Sequence, residues 1–196
     1  MNGHELLLGM GNQISASFPP GINFIEVGSE RGSGSTKLLA NMCNQLGYIF
    51  TTVDADPDVS QYANDIVKSI NKEFKAVCGL GEEYIRDTPD EIHIAYLDAF
   101  DLENLRDTPG HEKCQSPRAT YERRGVKITS ENCFKMHLDA VKFLDKKMPS
   151  GGLVVFDDVW NDGLWRGKGE TAIPWMLKNG FELVYFQPNA AAFVRT

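Results

Sequence analysis

From residue 23 onward, short apolar runs alternate with longer amphipathic ones. Strand-like runs fall at 23–27, 48–53, 75–78, 92–97, 153–156, 181–186 and 191–195, and helix-like periodicity occupies 35–46, 59–70, 81–87, 130–147 and 171–178. Short strands separated by helices predict βαβ units and a mostly parallel sheet with helices packed on it. Only Gln187-Pro188-Asn189-Ala190 joins the last two runs, which predicts a hairpin and one antiparallel terminal strand. The expected fold class is therefore α/β, a doubly wound three-layer sandwich with a seven-stranded sheet, in a single domain spanning 1–196. Ahead of it, Leu6, Leu7, Leu8, Met10 and Ile14 predict an amphipathic helix within 2–17, ended by Pro19-Pro20-Gly21, so that 1–21 forms an N-terminal cap. The polar stretch 102–129, with Pro109-Gly110 and Ser116-Pro117, breaks the alternation and reads as a lid, a substrate wall or a disordered segment.

Composition narrows the functional classes. A chain of 196 residues that is 42% hydrophobic and 24% charged is ordinary for a globular protein. At this size folding buries about 70% of the unfolded surface. The net charge of -7 argues against nucleic acid as a partner. No apolar run reaches the ~20 residues of a membrane span, and no basic-then-apolar leader opens the chain. Cys43, Cys78, Cys114 and Cys133 form no CxxC pair; such scattered thiols read as reduced, which sets the expected location as cytoplasmic and leaves no zinc site expected.

The chemistry starts at Phe24-Ile25-Glu26-Val27-Gly28-Ser29-Glu30-Arg31-Gly32-Ser33-Gly34-Ser35-Thr36, a strand breaking into a glycine-rich turn and then a helix. Glycine lets a ligand approach the backbone, and the helix start presents free N–H groups. The spacing Gly28-x-x-x-Gly32-x-Gly34 is not the dinucleotide pattern G-x-G-x-x-G, and no Gly-Lys-Ser/Thr follows for a phosphate loop. Glu26 would face a pyrophosphate unfavourably; it suits a ligand with a cationic amino group. A turn that merely tightens helix packing is the bland alternative.

These residues resemble motif I of the class I S-adenosylmethionine-dependent methyltransferases. The resemblance continues through Val53-Asp54-Ala55-Asp56-Pro57, Cys78-Gly79-Leu80-Gly81-Glu82-Glu83, Tyr96-Leu97-Asp98-Ala99-Phe100-Asp101 and Val155-Phe156-Asp157-Asp158, in order along most of the chain. It implies the Rossmann-like methyltransferase fold, methyl transfer, and S-adenosylmethionine as cofactor. Glu26, Gly28, Ser29, Gly32, Gly34 and Ser35 would border the methionine part. Asp54, with Ala55 beside it and Asp56 as its alternative, would accept the ribose hydroxyls. Gly81 and Glu82 would lie by the adenine, and Asp98 would close the cofactor side.

Asp98 and the pair Asp157-Asp158 end the fourth and fifth predicted strands, where ligands of open α/β sheets bind. Carboxylates at close range repel unless a proton or cation intervenes. Oxygen-only ligands favour Mg²⁺ or another hard divalent cation. The arrangement resembles the divalent-metal-dependent O-methyltransferases of the catechol and cephalosporin-biosynthesis types, which implies a small-molecule oxygen acceptor held by the metal. Asp157 or Asp158 could instead only cap a turn. The chain departs from the catechol type at Asp101, where that family has a catalytic lysine. His137 is then the candidate base, with a core histidine as its plain alternative, and Asp98 and Asp101 are the other catalytic candidates.

On the acceptor side, Trp160, Trp165, Arg166 and Lys168 occupy a glycine-bounded loop after the acidic pair and read as a substrate-facing flap, or as a loop folding its tryptophans onto the domain. Gly167-Lys168-Gly169 is not a phosphate loop. The basic cluster Arg118–Lys127 reads by default as a solvated charge run. A second subunit could complete substrate recognition, so a homo-oligomer is allowed.

Overall fold

The computed structural model describes residues 1–29, 34–99, 125 and 127–196. Among them the chain runs α1 (Gly3–Gly9), α2 (Gly11–Ser17), β1 (Asn23–Val27), α3 (Ser35–Leu46), β2 (Ile49–Asp54), α4 (Pro57–Ile70), β3 (Lys75–Cys78), α5 (Gly81–Asp87) and β4 (Ile94–Leu97). Then come α6 (Ser130–Lys147), β5 (Leu153–Asp157), β6 (Val159–Asn161), β7 (Trp165–Gly167), α7 (Ala172–Lys178), β8 (Phe181–Gln187) and β9 (Ala190–Arg195). Seven strands form one sheet in the order β3-β2-β1-β4-β5-β9-β8, with β9 antiparallel to both its neighbours and every other pair parallel. The order reverses between β1 and β4, the switch point at which open α/β sheets bind their ligands.

Alternation along the strands divides the core between the two faces of the sheet. Phe24, Ile94, Tyr96, Leu153 and Val155 pack with Leu39, Ala40 and Cys43 of α3 and with Leu6 and Leu7 of α1. Ile25, Val27, Ala95, Leu97, Val154 and Phe156 pack on the other side with Ala140, Val141 and Leu144 of α6 and with Ile173 and Met176 of α7. A period of two along each strand, with both faces covered by helices, is what makes these strands apolar throughout.

Local chemistry sets the element ends. Asp56 caps α4 by accepting from the N–H groups of Asp58 (2.8 Å) and Val59 (3.3 Å), with Pro57 at the first helical position. That helix therefore starts before the predicted 59. Thr129 caps α6, accepting from Asn132 N–H at 3.1 Å. The helix expected within 2–17 is two helices meeting at Met10, which is flanked by Gly9 and Gly11. The predicted flap contains a second, two-stranded sheet, the antiparallel hairpin β6–β7. Among the described residues, no helix is long and apolar enough to cross a membrane. Most of the 102–129 stretch and of the Arg118–Lys127 cluster, together with Gly32 and Asp101, lies outside the described residues.

Candidate functional site

A cleft opens where β1, β2 and β3 end, lined by Val27, Gly28, Val53, Asp54, Ala55, Gly79, Leu80, Gly81, Glu82, Ala99 and Met136. Two glycines make its floor possible. Gly28 has φ +98, and a Cβ on it would lie 2.7 Å from the Asp98 carbonyl oxygen. A Cβ on Gly81 would lie 2.1 Å from Val27 Cγ1, so the start of α5 sits directly on the end of β1.

Asp54 stands in the cleft wall, buried, and accepts from Ser29 N–H (2.9 Å) and Asp56 N–H (2.8 Å). Its carboxylate thus holds the turn after β1 against the end of β2. Asp56, the alternative to Asp54, is spent as the cap of α4 and does not line the cleft. Ser29 is tied further: its hydroxyl pairs with Thr52 Oγ1 at 2.7 Å, and its carbonyl accepts from Thr36 Oγ1 at 2.7 Å. Ala55, Gly81 and Glu82 all line the cleft. Gly34 caps α3 rather than lining the cleft.

Glu26 lies fully buried in β1, beneath the turn. Its Oε1 accepts from Ser35 Oγ at 2.8 Å, at the first residue of α3. Burial pushes its carboxyl up to about 8, against the pull of the Thr52, Thr36 and Ser35 hydroxyls. Glu26 Oε2 and Glu82 Oε2 are buried with no hydrogen-bond partner among the described residues, and burial also raises the Glu82 carboxyl. Unpaired buried polar atoms are rare in folded proteins and need an account. Glu82 lines the glycine-floored cleft, where its unmet oxygen fits a ligand that brings N–H or O–H donors.

At the ends of β4 and β5 the picture differs. Lys168, only 3% exposed, directs Nζ to Asp98 Oδ1 (2.5 Å), the Asp98 carbonyl (3.2 Å) and Asp158 Oδ2 (2.9 Å). Burial alone would lower its basicity, but the two carboxylates hold the ammonium well above its usual range. Burial raises the Asp98 carboxyl to about 6 against the pull of Lys168. Asp157 is engaged separately: Oδ1 accepts from Gly3 N–H (3.1 Å) and Asp158 N–H (2.9 Å), and Oδ2 from the Tyr96 hydroxyl (2.6 Å). The Tyr96 hydroxyl also lies 3.0 Å from Asp98 Oδ2.

The expectation of a three-carboxylate metal centre at Asp98, Asp157 and Asp158 is thereby corrected. Among the described residues no group of three or more His, Cys, Asp or Glu side chains is arranged to hold a metal ion. The physical reason is that an internal ammonium takes two of the acids and hydrogen-bond donors take the third. Charge balance required a cation there; the chain supplies its own.

The remaining candidates separate. His137 is completely buried against Phe156 and does not line the cleft. Its Nδ1 lies 2.8 Å from the Cys133 carbonyl, which can only accept, so the proton is on Nδ1 and Nε2 is a bare acceptor. Burial lowers its pKa to about 3, which removes it from proton uptake near neutrality. Trp165, half-buried, packs edge-on against Phe186 (centroids 5.1 Å apart) and Phe193 (6.1 Å), the packing that its alternative reading expected. Trp160 is exposed on β6. Arg166 faces Asp162 at 3.6 Å and Glu170 at 3.9 Å on the surface.

Sequence reasoning missed Tyr96 and Gly3. Tyr96 had a signal, since residues two apart on a strand share a face and Asp98 follows it by two. Gly3 had none: its N–H reaches Asp157 across the whole chain.

No family model and no curated protein matches the chain in sequence. Solved structures do match in shape. SMU.1697c from Streptococcus mutans, in complex with S-adenosylhomocysteine, is similar over 100% of this chain and 99% of its own, at 12% identity and a TM-score of 0.61. TrmN from Thermus thermophilus is similar over 98% of this chain at 14% identity and a TM-score of 0.59, and this chain spans 48% of TrmN. A SAM-dependent methyltransferase from Geobacter sulfurreducens, in complex with S-adenosylhomocysteine, is similar over 92% of this chain and 65% of its own, at 13% identity and a TM-score of 0.54. The likeness is one of fold: the chain has the Rossmann-like architecture of the S-adenosylmethionine-dependent methyltransferases.

Proposed function

We propose that the protein is a class I methyltransferase that transfers a methyl group from S-adenosylmethionine to a small molecule. The observation that carries this reading is the unpartnered Glu82 Oε2 in the wall of a cleft floored by Gly28 and Gly81, with a second unpartnered oxygen, Glu26 Oε2, buried in β1 beneath the turn. A nucleoside joined to an amino acid brings donors suited to both: an ammonium at one end, and hydroxyls and an exocyclic amine at the other. Glu26 would take the ammonium, Asp54 the ribose hydroxyls, and Glu82 the adenine edge. When bound, the cofactor supplies an electrophilic methyl on a sulfonium. The chain's own contribution is to hold the nucleotide by these acids and align the acceptor, and to exclude water with the apolar walls of Val27, Leu80 and Met136.

Transfer to oxygen with a divalent cation's help, which the resemblance implied, does not fit the residues present, and no step is derived through a metal. The ammonium at Asp98 and Asp158 favours metal-independent transfer, for which a nitrogen acceptor or a macromolecular one is the second reading.

The test is thermal unfolding of the wild-type protein with S-adenosylhomocysteine. A ligand at a hundred times its Kd stabilises the native state by about 2.7 kcal/mol, which is readily seen. Glu82→Gln is expected to shrink that shift while leaving the apo transition in place, whereas Asp54→Asn, which puts an amide NH2 against one of two backbone N–H groups, is expected to lower the apo transition as well. An absence of any shift at millimolar nucleotide would remove the proposal.

A further inference from the structure

Gly167-Lys168-Gly169 has no place in phosphate binding, yet both glycines are required by the backbone around it. At Gly167, φ is +76, and a Cβ would lie 1.9 Å from the Asp158 carbonyl oxygen. At Gly169 a Cβ would lie 2.3 Å from Ile173 Cδ1. Between them, Lys168 N–H donates to the Asp158 carbonyl at 3.1 Å, which seals the base of the β6–β7 hairpin. The hairpin thus lays its final residue against the end of β5 and sends one side chain inward, under the end of β4.

That side chain meets three oxygens, two from Asp98 and one from Asp158, at 2.5, 3.2 and 2.9 Å. An ammonium has three N–H donors and no acceptor, so this set saturates it. Oxygen atoms from two strand ends around one cation are also what a hard divalent ion would take. Asp158 is held there with a positive φ of 50, a left-handed backbone conformation uncommon for a residue other than glycine.

We propose that Lys168 is a built-in counterion that takes the place of a divalent cation at the β4 and β5 ends, and that its removal uncovers a latent divalent-metal site on Asp98 and Asp158. Lys168 is a positioning residue: all three of its donors are used within the protein. The inference concerns which cation this cluster holds, so it stands apart from the methyl-transfer reading and is tested without nucleotide or turnover.

The experiment titrates Mn²⁺ alone into the full chain and follows the loss of the free-ion EPR signal. Wild type is expected to leave the signal unchanged. Lys168→Met is expected to take up one Mn²⁺ per chain, and the double variant Lys168→Met/Asp98→Asn to take up none. Circular dichroism confirms that each variant is folded, and Lys168→Gln replaces Lys168→Met if the latter is not. Stoichiometric Mn²⁺ uptake by wild type that Asp158→Asn abolishes would overturn the proposal, because Lys168 would then not exclude the metal. A folded Lys168 variant that binds no Mn²⁺ would overturn it equally. If neither variant folds, the wild-type titration decides alone: a silent signal supports the counterion, and uptake refutes it.

Discussion

On the β1–β2–β3 side of the strand ends, Glu26 and Glu82 each keep a buried oxygen with no partner among the described residues. On the β4–β5 side, Asp98, Asp157 and Asp158 are all engaged, by Lys168, Tyr96, Gly3 and the backbone of Asp158 itself. Both groups are acidic and both lie around the carboxyl ends of strands of one sheet, Glu26 within β1 and Glu82 in the first turn of α5, yet among the described residues only the first has unmet hydrogen bonds. Unmet acceptors cost the apo protein free energy that a ligand can recover, whereas met ones already contribute to the fold. Acidity at a strand end therefore does not mark a ligand site by itself; the state of its partners does.

The largest expected effect breaks the satisfied side. Lys168→Met leaves Asp98 and the half-exposed Asp158 without a cation; losing one partner of a fully buried pair costs about 3–5 kcal/mol, and solvent at Asp158 (47% exposed) brings the expected loss down to about 2–3 kcal/mol. Urea denaturation measures it, and added Mn²⁺ is expected to recover part of the loss in the variant while leaving wild type unmoved. A loss under about 1 kcal/mol would mean the pair is effectively solvated, and the contrast between the two sides would fall.

Gly81→Ala attacks the other side through packing. The new methyl lies 2.1 Å from Val27 Cγ1, so either the start of α5 or the end of β1 must move. Overpacking of this kind costs about 1–3 kcal/mol. The cleft deforms with it, and the thermal shift from S-adenosylhomocysteine is expected to disappear. A variant that is destabilised but keeps the full shift would separate the glycine's packing role from binding.

Glu26 gives the pH-dependent test. Its folded carboxyl sits at about 8, above its ordinary 4.5, so between those values the native state holds a proton that the unfolded chain has released. Stability of the apo protein therefore falls as pH rises through that window, by a few kcal/mol at most. Glu26→Gln should flatten this slope. Pairing with a ligand ammonium requires the ionised form, so wild-type affinity for S-adenosylhomocysteine should rise with pH toward 8, and the variant's should not. Parallel pH profiles of binding would show that Glu26 does not meet the ammonium.

The contrast itself was only half legible in the sequence. Strand alternation and glycine placement gave the sheet, the C-terminal hairpin and α5 at 81–87, because these are local patterns of burial and turn chemistry. Glu26 within β1, Asp54 at the end of β2 and Glu82 in the first turn of α5 were readable as acids around the strand ends for the same reason. What escaped were pairings across the chain: Lys168 with Asp98, separated by 70 residues, and Tyr96 with Asp157, separated by 61. Periodicity carries no information on which distant side chain arrives at a carboxylate. The β6–β7 strands are three residues each, too short for alternation to register, so the element that delivers Lys168 read as a flap.

Arg166 makes the smallest and sharpest test, because it sits two residues from Lys168 and shares its charge but not its setting. Its side chain is 40% exposed, with the guanidinium 3.6 Å from Asp162 and 3.9 Å from Glu170, both partners themselves solvent-facing. Such pairs contribute 0–1 kcal/mol and are screened by salt. Arg166→Ala is therefore expected to shift the urea midpoint by less than about 0.5 kcal/mol and to leave both the nucleotide shift and the Mn²⁺ silence unchanged. If turnover on an acceptor nevertheless drops while those readouts hold, Arg166 touches the acceptor, and the outer face of the hairpin serves recognition while its inner end serves charge balance. If stability drops as far as it does for Lys168→Met, burial is not what distinguishes the two cations.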